Sequence, residues 1–502
     1  MDERSFIAEE KDPERLKELV LTYAAENARL HRRIQELVRE IAKLQGRKAG
    51  EQLELELSRL QEQMHALQRQ VFADSSERRE GTEEEKAPVP RKPRRGHGPR
   101  PQAQLRRKEV LVELAEDSRQ CDACKGQLAA IPGMTEDSEQ ITVIRREFVI
   151  EEVKRQKYRC RCGIGLHTAP GPVTHQRGGR YSLDFAIEVA VDKYVNHLPL
   201  ARQRRDMARR QLDVSTQALW DQIEALAGHL QPVNEALRQY IIGADVIGVD
   251  ETHWRLMAKK ESKKWWVWAL SVHDAVWFGI DPSRSAQAAT SFLGDFHGTI
   301  MCDGYRVYDT LARNHPELVL AHCWSHVRRK FLLAQAHYPQ CQEALDMVDA
   351  LFAIERKTLP PDLLSGDAKM SCLDVRRRLR DSESRPLVEK LRQWALAQRG
   401  LPKSSLRKAT DYMLGCWSGL IRFLDDPCVP LDNNRTERAL RAVVLGRKNH
   451  YGSRSQRGTE VAALFYSLLD TAVHNGLDPT DYLKRAAIAA IEDSRILLPL
   501  AA

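Results

Sequence analysis

No apolar run in the 502 residues approaches the 18 or more that a membrane-spanning helix requires, so residence in a bilayer by that route is not expected. The N-terminus, MDERSFIAEEKDPERL, alternates charges where a secretory signal would place an apolar stretch after its basic start. A cytoplasmic, nucleoid-associated protein is expected, and in that reducing compartment the ten cysteines suit metal binding better than disulfides. Charge of one sign is scarce as well: 78 Lys and Arg stand against 70 Asp and Glu, a net of +8. That excess permits a polyanionic partner without identifying one. What the chain does have is 42% hydrophobic residues, enough to bury real cores, and a length that at about 150 residues per domain suggests roughly three units.

Two interleaved seven-residue repeats open the chain: Leu16, Tyr23, Leu30, Leu37 and Leu44 in one row, and Val20, Asn27, Ile34 and Ile41 in the other. This is a coiled-coil seam, and a polar Asn27 at a core position typically fixes register and dimeric state. A helix packed on its own domain is the alternative, but the strict repeat over four heptads favours a homodimer or higher homo-oligomer. After Gly46 and Gly50 the apolar positions resume out of phase, which predicts a kink or hairpin within a dimerisation segment spanning 1–73. Residues 74–104, with PVPRKPRRGHGPRP, have no face to bury and read as a basic disordered linker.

Residues 105–180 carry CDAC, with Cys121 and Cys124, and CRC, with Cys160 and Cys162, separated by strand-like alternation. Four thiolates on turns at one end of a hairpin would form a tetrahedral Zn²⁺ site, with His167 an alternative ligand, in a unit too small for a large core of its own. Within 181–243, PLARQRRDMARRQLDVSTQALWDQIEAL reads as a basic helix ending near Gln211, a short turn, and a second helix capped by Ser215 or Thr216. As a helix-turn-helix it would set Thr216 and Gln217 near base edges of double-stranded DNA, while Arg202, Arg204, Arg205, Arg209 and Arg210 neutralise phosphates. A plain helical pair with solvated arginines is the alternative.

From 244 to 332 the pattern is three strands, helix, strand, helix, strand, the order of an RNase H-like mixed sheet with helices on both faces. Asp250 is expected to close the first strand and Asp303 the fourth, and in that topology the two strands are neighbours. Adjacent carboxylates repel unless a divalent cation lies between them, and hard oxygen ligands with open positions suit Mg²⁺ or Mn²⁺. Two such ions about 4 Å apart would clamp the attacking and leaving oxygens of a phosphoryl displacement. A third acid, Glu437, sits in a helix begun near Asp432 or Asn433, within 431–450. Arg435, Arg438, Arg441, Arg447 and Lys448 give that helix a positive rim suited to phosphates. Residues 333–430 read as a helical insertion, and 451–502 as a helical region able to pack on the sheet.

VDETHW, MCDGY, HCWSHVRRKF, LDNNRTERALR and RKNHYGSRSQRGTEVAALFYSLLDTAVHNGLDP occur in this order, and with them the sequence resembles DDE transposases of the insertion sequence 66 family. The resemblance covers nearly the whole chain. It implies Asp250, Asp303 and Glu437 as a metal-binding catalytic triad, and it points to Cys323 and His326 as residues supporting or joining catalysis. The first motif departs from the family's commonest form at His253 and Trp254, where a small residue or proline often follows DET. The implied activity is metal-dependent cutting at transposon ends and joining to a target, sometimes with accessory proteins of the same element. The rival readings are a catalytically inactive, transposase-derived DNA-binding regulator and a nuclease that cuts without joining. Under any reading that binds DNA, log affinity plotted against log salt should fall with a slope of about −0.9 per phosphate neutralised. A flat response in a filter-binding titration would contradict all of them.

Overall fold

The computed structural model describes residues 106–109, 111–113, 127–130, 146–159, 166–258, 261–398, 400–492 and 495–500, with single positions 36, 59, 60, 62, 125, 138 and 141. The heptad repeat, the basic linker and the four cysteines of the expected zinc site lie outside the described residues, apart from scattered positions of the N-terminal segment. By contacts the chain divides into one unit of residues 1–71 and 148–502 and another of residues 72–147. Everything below concerns the first. Among the described residues, no helix is long and apolar enough to cross a membrane.

A short antiparallel pair, β1 (Lys157–Arg159) and β2 (Leu166–Thr168), sets His167 opposite Tyr158. Three helices follow: α1 (Leu183–Tyr194), α2 (Leu200–Arg209) and α3 (Thr216–Ile242). Ser182 and Ser215 cap α1 and α3 by accepting from the N–H groups of Phe185 and Ala218, so each start is where the sequence offers a hydroxyl. At 27 residues α3 is longer than a recognition helix needs, and its apolar stripe, Leu219, Ile223, Leu226, Leu230 and Leu237, is fully buried. Its exposed positions are Thr216 and Gln217 in the first turn and, on the outer face beyond it, Gly228, Gln231, Pro232, Glu235, Gln239 and Tyr240.

The next segment is a five-stranded mixed sheet in the order β5-β4-β3-β6-β7, built from β3 (Val246–Ala258), β4 (Glu261–Ser271), β5 (Val276–Asp281), β6 (Gly298–Cys302) and β7 (Leu318–His322). β3, β4 and β5 pair antiparallel, whereas β6 and β7 add in parallel, each after a crossover helix: α4 (Ala286–Leu293) and α5 (Arg306–Asn314). The first and fourth strands of this sheet are therefore neighbours, as the sequence order predicts. The parallel pairing of β3 with β6 stops at Gly248 and Met301.

β3 does not stop there, and this corrects one expectation. Asp250 lies inside a 13-residue strand rather than at its end, because β4 pairs with β3 as far as Ala258 and Ser453 takes up its other edge at Leu256. Between Met301 and Ser453 no strand among the described residues pairs with that edge of β3, and side chains of Asn433 and Arg447 meet its Val249 and His253 carbonyls instead. Asp250 stands in the gap.

Helix α6 (Trp324–Gln335) leads into the insertion, whose main helices are α7 (Cys341–Glu355), α8 (Gly366–Leu379), α9 (Arg385–Ala397) and α10 (Ser405–Gly415). Their core is continuous with the sheet at Met301 and Ala321. A π turn at Arg380–Ser384 aims a fully buried Arg380 at Glu355 (2.8 Å and 2.9 Å) and at the carbonyls of Phe423, Asp426 and Val429. Arg376 adds a 2.6 Å bond to Glu355 and a 3.1 Å bond to the Pro427 carbonyl. A buried pair of guanidiniums is costly to desolvate unless every donor finds an acceptor, and here the carboxylate and the chain of 423–429 supply them.

That braced chain runs straight into α11 (Asn434–His450), and α12 (Gln456–His474) and α13 (Pro479–Glu492) complete the fold. α12 covers the edge strand β5: Ser467 and Thr471 accept from the otherwise free N–H groups of Phe278 and Val276 at 2.8 Å and 3.1 Å. α11 lies along β3 with matched rise. Thr436 meets Gly248, Arg447 bonds Thr252 at 2.9 Å, and the rings of His450 and Trp254 are 5.6 Å apart. Fourteen helical residues advance about 21 Å and six strand residues about 20 Å, so the two stay in step.

The close approach needs a residue without a side chain. A Cβ at Gly248 would lie 2.2 Å from Thr436 Oγ1, 2.7 Å from Asn433 Oδ1 and 2.9 Å from Ser271 Oγ. Gly248→Ala should therefore destabilise the protein by about 1–3 kcal/mol, the usual cost of overpacking, read as a lowered midpoint in urea. An unchanged midpoint would contradict this packing.

Candidate active site

Even-numbered positions of β3 point toward α11, odd ones away, and this alternation separates two adjacent acids. Asp250 faces α11. Glu251 turns into the opposite layer, where it is buried and receives Tyr308 Oη at 2.5 Å and Arg284 Nε at 2.7 Å. Arg284 in turn lies over the rings of Trp266 and Tyr305, at 4.7 Å and 3.8 Å from their centroids. Glu251 is thus a neutralised structural acid, although burial still pushes its carboxyl above the ordinary range.

Asp250 has no such cation. Its carboxyl is pushed up to about 8, first by burial and next by the charge of Glu251, with Asp303 and Glu437 adding to the effect and the Glu251 N–H, which donates to it at 2.8 Å, opposing. Asp303 follows the last residue of β6, as expected, and its Oδ1 accepts from Tyr305 N at 2.9 Å in an Asx turn. Helix α10 of the insertion fixes this turn: Tyr412 Oη accepts from Gly304 N at 3.0 Å, and a Cβ at Gly304 would strike the Tyr412 ring.

Glu437, in the first turn of α11, shares a cleft of about 380 Å³ with Asp250, Thr252, His326, Arg329 and Arg441. Arg329 Nη2 donates to its Oε2 at 3.1 Å. Its Oε1 lies 3.6 Å from His326 Nδ1, and among the described residues neither of these two buried atoms has a hydrogen-bond partner. Burial lowers the basicity of His326, so the imidazole is neutral and the contact is not an ion pair.

The structure brings Asp250 and Glu437 to one cleft and Asp303 within electrostatic range, with Asp303 itself off the cleft lining. Clustered carboxylates, one of them with an oxygen, Glu437 Oε1, that has no hydrogen-bond partner among the described residues, are a donor set that fits a hard divalent cation. Cys323 has a different part. Its Sγ accepts from Asn433 N at 3.2 Å, and burial pushes the thiol up to about 12, so it remains a protonated anchor. Of the expected phosphate-binding rim, Arg438, Arg441 and Lys448 are exposed, while Arg435 is paired with Asp362 at 2.8 Å and Arg447 is bonded to Thr252 and to the His253 carbonyl. On α2, Arg202, Arg204, Arg205 and Arg209 are exposed and Arg210 is held by Asp206 at 3.0 Å; on the first turn of α3, Thr216 and Gln217 are exposed.

Sequence reasoning passed over Arg284, Tyr308 and Arg329, and read Asn433 only as a candidate helix start. Asn433 is fully enclosed, donating from Nδ2 to the Val249 carbonyl at 2.9 Å and accepting from Thr436 Oγ1 at 2.6 Å. Its place just before a helix was a signal for a cap; that its side chain would reach across to the strand was not visible.

A five-stranded mixed sheet of this order, flanked by helices, is consistent with a transposase domain. A family model described as "Transposase IS66 family" matches residues 178–461, and the chain belongs to that family. Among relatives from Sinorhizobium fredii, the uncharacterized protein y4jD is 31% identical over 402 residues, covering 76% of each chain. The uncharacterized protein y4qI is 28% identical over 458 residues, 87% of this chain and 79% of its own.

The raised carboxyl of Asp250 has a stability consequence. Below about pH 4 both folded and unfolded chains hold its proton; between pH 4 and 8 the unfolded chain ionises while the folded one resists, so metal-free stability falls as pH rises through that window. Asp250→Asn should therefore melt higher than wild type at pH 8 in chelator, with the gap closing toward pH 4. A gap that does not change with pH in calorimetry would refute the assignment.

Proposed function

We propose that this chain is a DNA transposase that binds transposon terminal repeats and catalyses metal-dependent cleavage and strand transfer. The observation that carries the reading is the cleft that Asp250 and Glu437 line together, where the Asp250 carboxyl is raised first by burial and next by the charge of Glu251, with Asp303 and Glu437 adding smaller effects. Asp250, Asp303 and Glu437 would hold Mg²⁺ or Mn²⁺, which when bound activates the attacking hydroxyl and stabilises the leaving oxygen. Water attacks the terminal phosphodiester and frees a 3′ hydroxyl; that hydroxyl then attacks a target phosphodiester, and the displaced oxygen leaves as a new 3′ hydroxyl. No covalent protein intermediate is needed.

Around this centre the chain's own residues bind and orient. Arg329 holds one oxygen of Glu437, fixing its rotamer. Exposed Arg441 lines the cleft, and with exposed Arg438 on the same helix it suits phosphates passing there. α2 and the first turn of α3 offer a second basic surface for double-stranded DNA, in the helix-turn-helix manner. In this reading the N-terminal repeat pairs protomers, Cys121, Cys124, Cys160 and Cys162 hold Zn²⁺ in an end-recognition unit, the sheet is RNase H-like, and accessory proteins of the same element assist.

Purified protein incubated with labelled terminal-repeat DNA and Mg²⁺ should release a 3′ hydroxyl end, and Asp303→Asn should reduce that cleavage by at least about a hundredfold. Equal cleavage by the two proteins would sink the assignment.

A further inference from the structure

The acids of the cleft are expected to offer oxygen alone. The geometry points to one nitrogen among them: we propose that His326, through Nδ1, is a direct ligand of a divalent cation shared with Glu437 Oε1. The inference rests on the acidic site proposed above and adds a residue to it.

Three observations support it. His326 Nδ1 and Glu437 Oε1 are 3.6 Å apart, too long for an N–H···O bond but close to the separation of two donors that each lie about 2.1 Å from a common ion. Both atoms are buried and, among the described residues, neither has a hydrogen-bond partner. A buried imidazole nitrogen and a carboxylate oxygen left facing each other unpaired cost free energy unless something between them takes both lone pairs. The rest of the carboxylate is already committed: Arg329 holds Oε2, which turns Oε1 toward His326.

Cys323 Sγ lies within 4.8 Å of both donor atoms, which makes a Cys-His-Glu set conceivable. Its sulfur is engaged with Asn433 N, however, and the strain of releasing that bond would fall on the start of α11. The two-donor set is the one the structure favours. Its chemical consequence is selectivity: an imidazole nitrogen among oxygens moves preference away from Mg²⁺ toward Mn²⁺ and later first-row ions.

The test uses the full chain and Mn²⁺ alone. Pulsed electron paramagnetic resonance of the bound ion should show the modulation of a directly bonded imidazole ¹⁴N. His326→Gln, checked for folding by circular dichroism, should abolish that modulation and weaken Mn²⁺ by more than the roughly ten- to hundredfold that loss of an outer-sphere partner costs. Glu437→Gln should abolish it too, whereas Cys323→Ser should keep it. Mn²⁺ bound with no nitrogen signal in the wild type, or a signal that survives His326→Gln, overturns the ligation while leaving the acidic site intact. Absence of any Mn²⁺ binding at millimolar concentration overturns both.

Discussion

One amide side chain holds the site in register. Asn433 spans from the first turn of α11 to the Val249 carbonyl, accepts from Thr436, and through its own N–H fixes the Cys323 sulfur at the start of α6. Three segments far apart in sequence, β3, α6 and α11, are joined at this point, and each carries a residue of the cleft. The junction is dry, with Asn433 and Thr436 buried, so each of these bonds works without competition from water. It is possible only because position 248 has no Cβ.

The layers around the cleft differ in how they treat charge. Glu251, one residue from Asp250, is given a guanidinium and a phenol; Asp250 is given a backbone N–H and the repulsion of other acids. The same strand therefore presents a satisfied carboxylate on one face and an unsatisfied one on the other. Local frustration of this kind costs stability and marks a place where a ligand is expected to complete the balance.

Much of the sheet was legible in advance. Three strands followed by alternating helix and strand left few topologies, and the neighbour relation of the strands bearing Asp250 and Asp303 came from that order. The full length of β3 was missed: β4 pairs with it well past Asp250, to Ala258, and Ser453, about two hundred positions later, returns to its other edge at Leu256. Nor was Arg329 distinguishable from its neighbours in HCWSHVRRKF: which of several consecutive cations reaches Glu437 is set by helix phase and by the tilt of α6 on the sheet. Glu251 and Asp250 look alike in VDETHW, and only the pleat assigns them to different environments. The basic rim shows the same limit, since Arg435 and Arg447 are drawn to Asp362 and to β3 by tertiary contacts that no charge count contains.

The helical insertion is not an ornament hung beside the sheet. Its buried Arg376 and Arg380 grip the chain of 423–429, and a few residues later that chain becomes Asn433 and then Glu437. Bundle and third acid are thus ends of one stiff lever. A substitution that loosens either guanidinium would therefore be felt first at the start of α11, so the lobe that looks most peripheral is tied to Glu437 by the shortest stretch of chain.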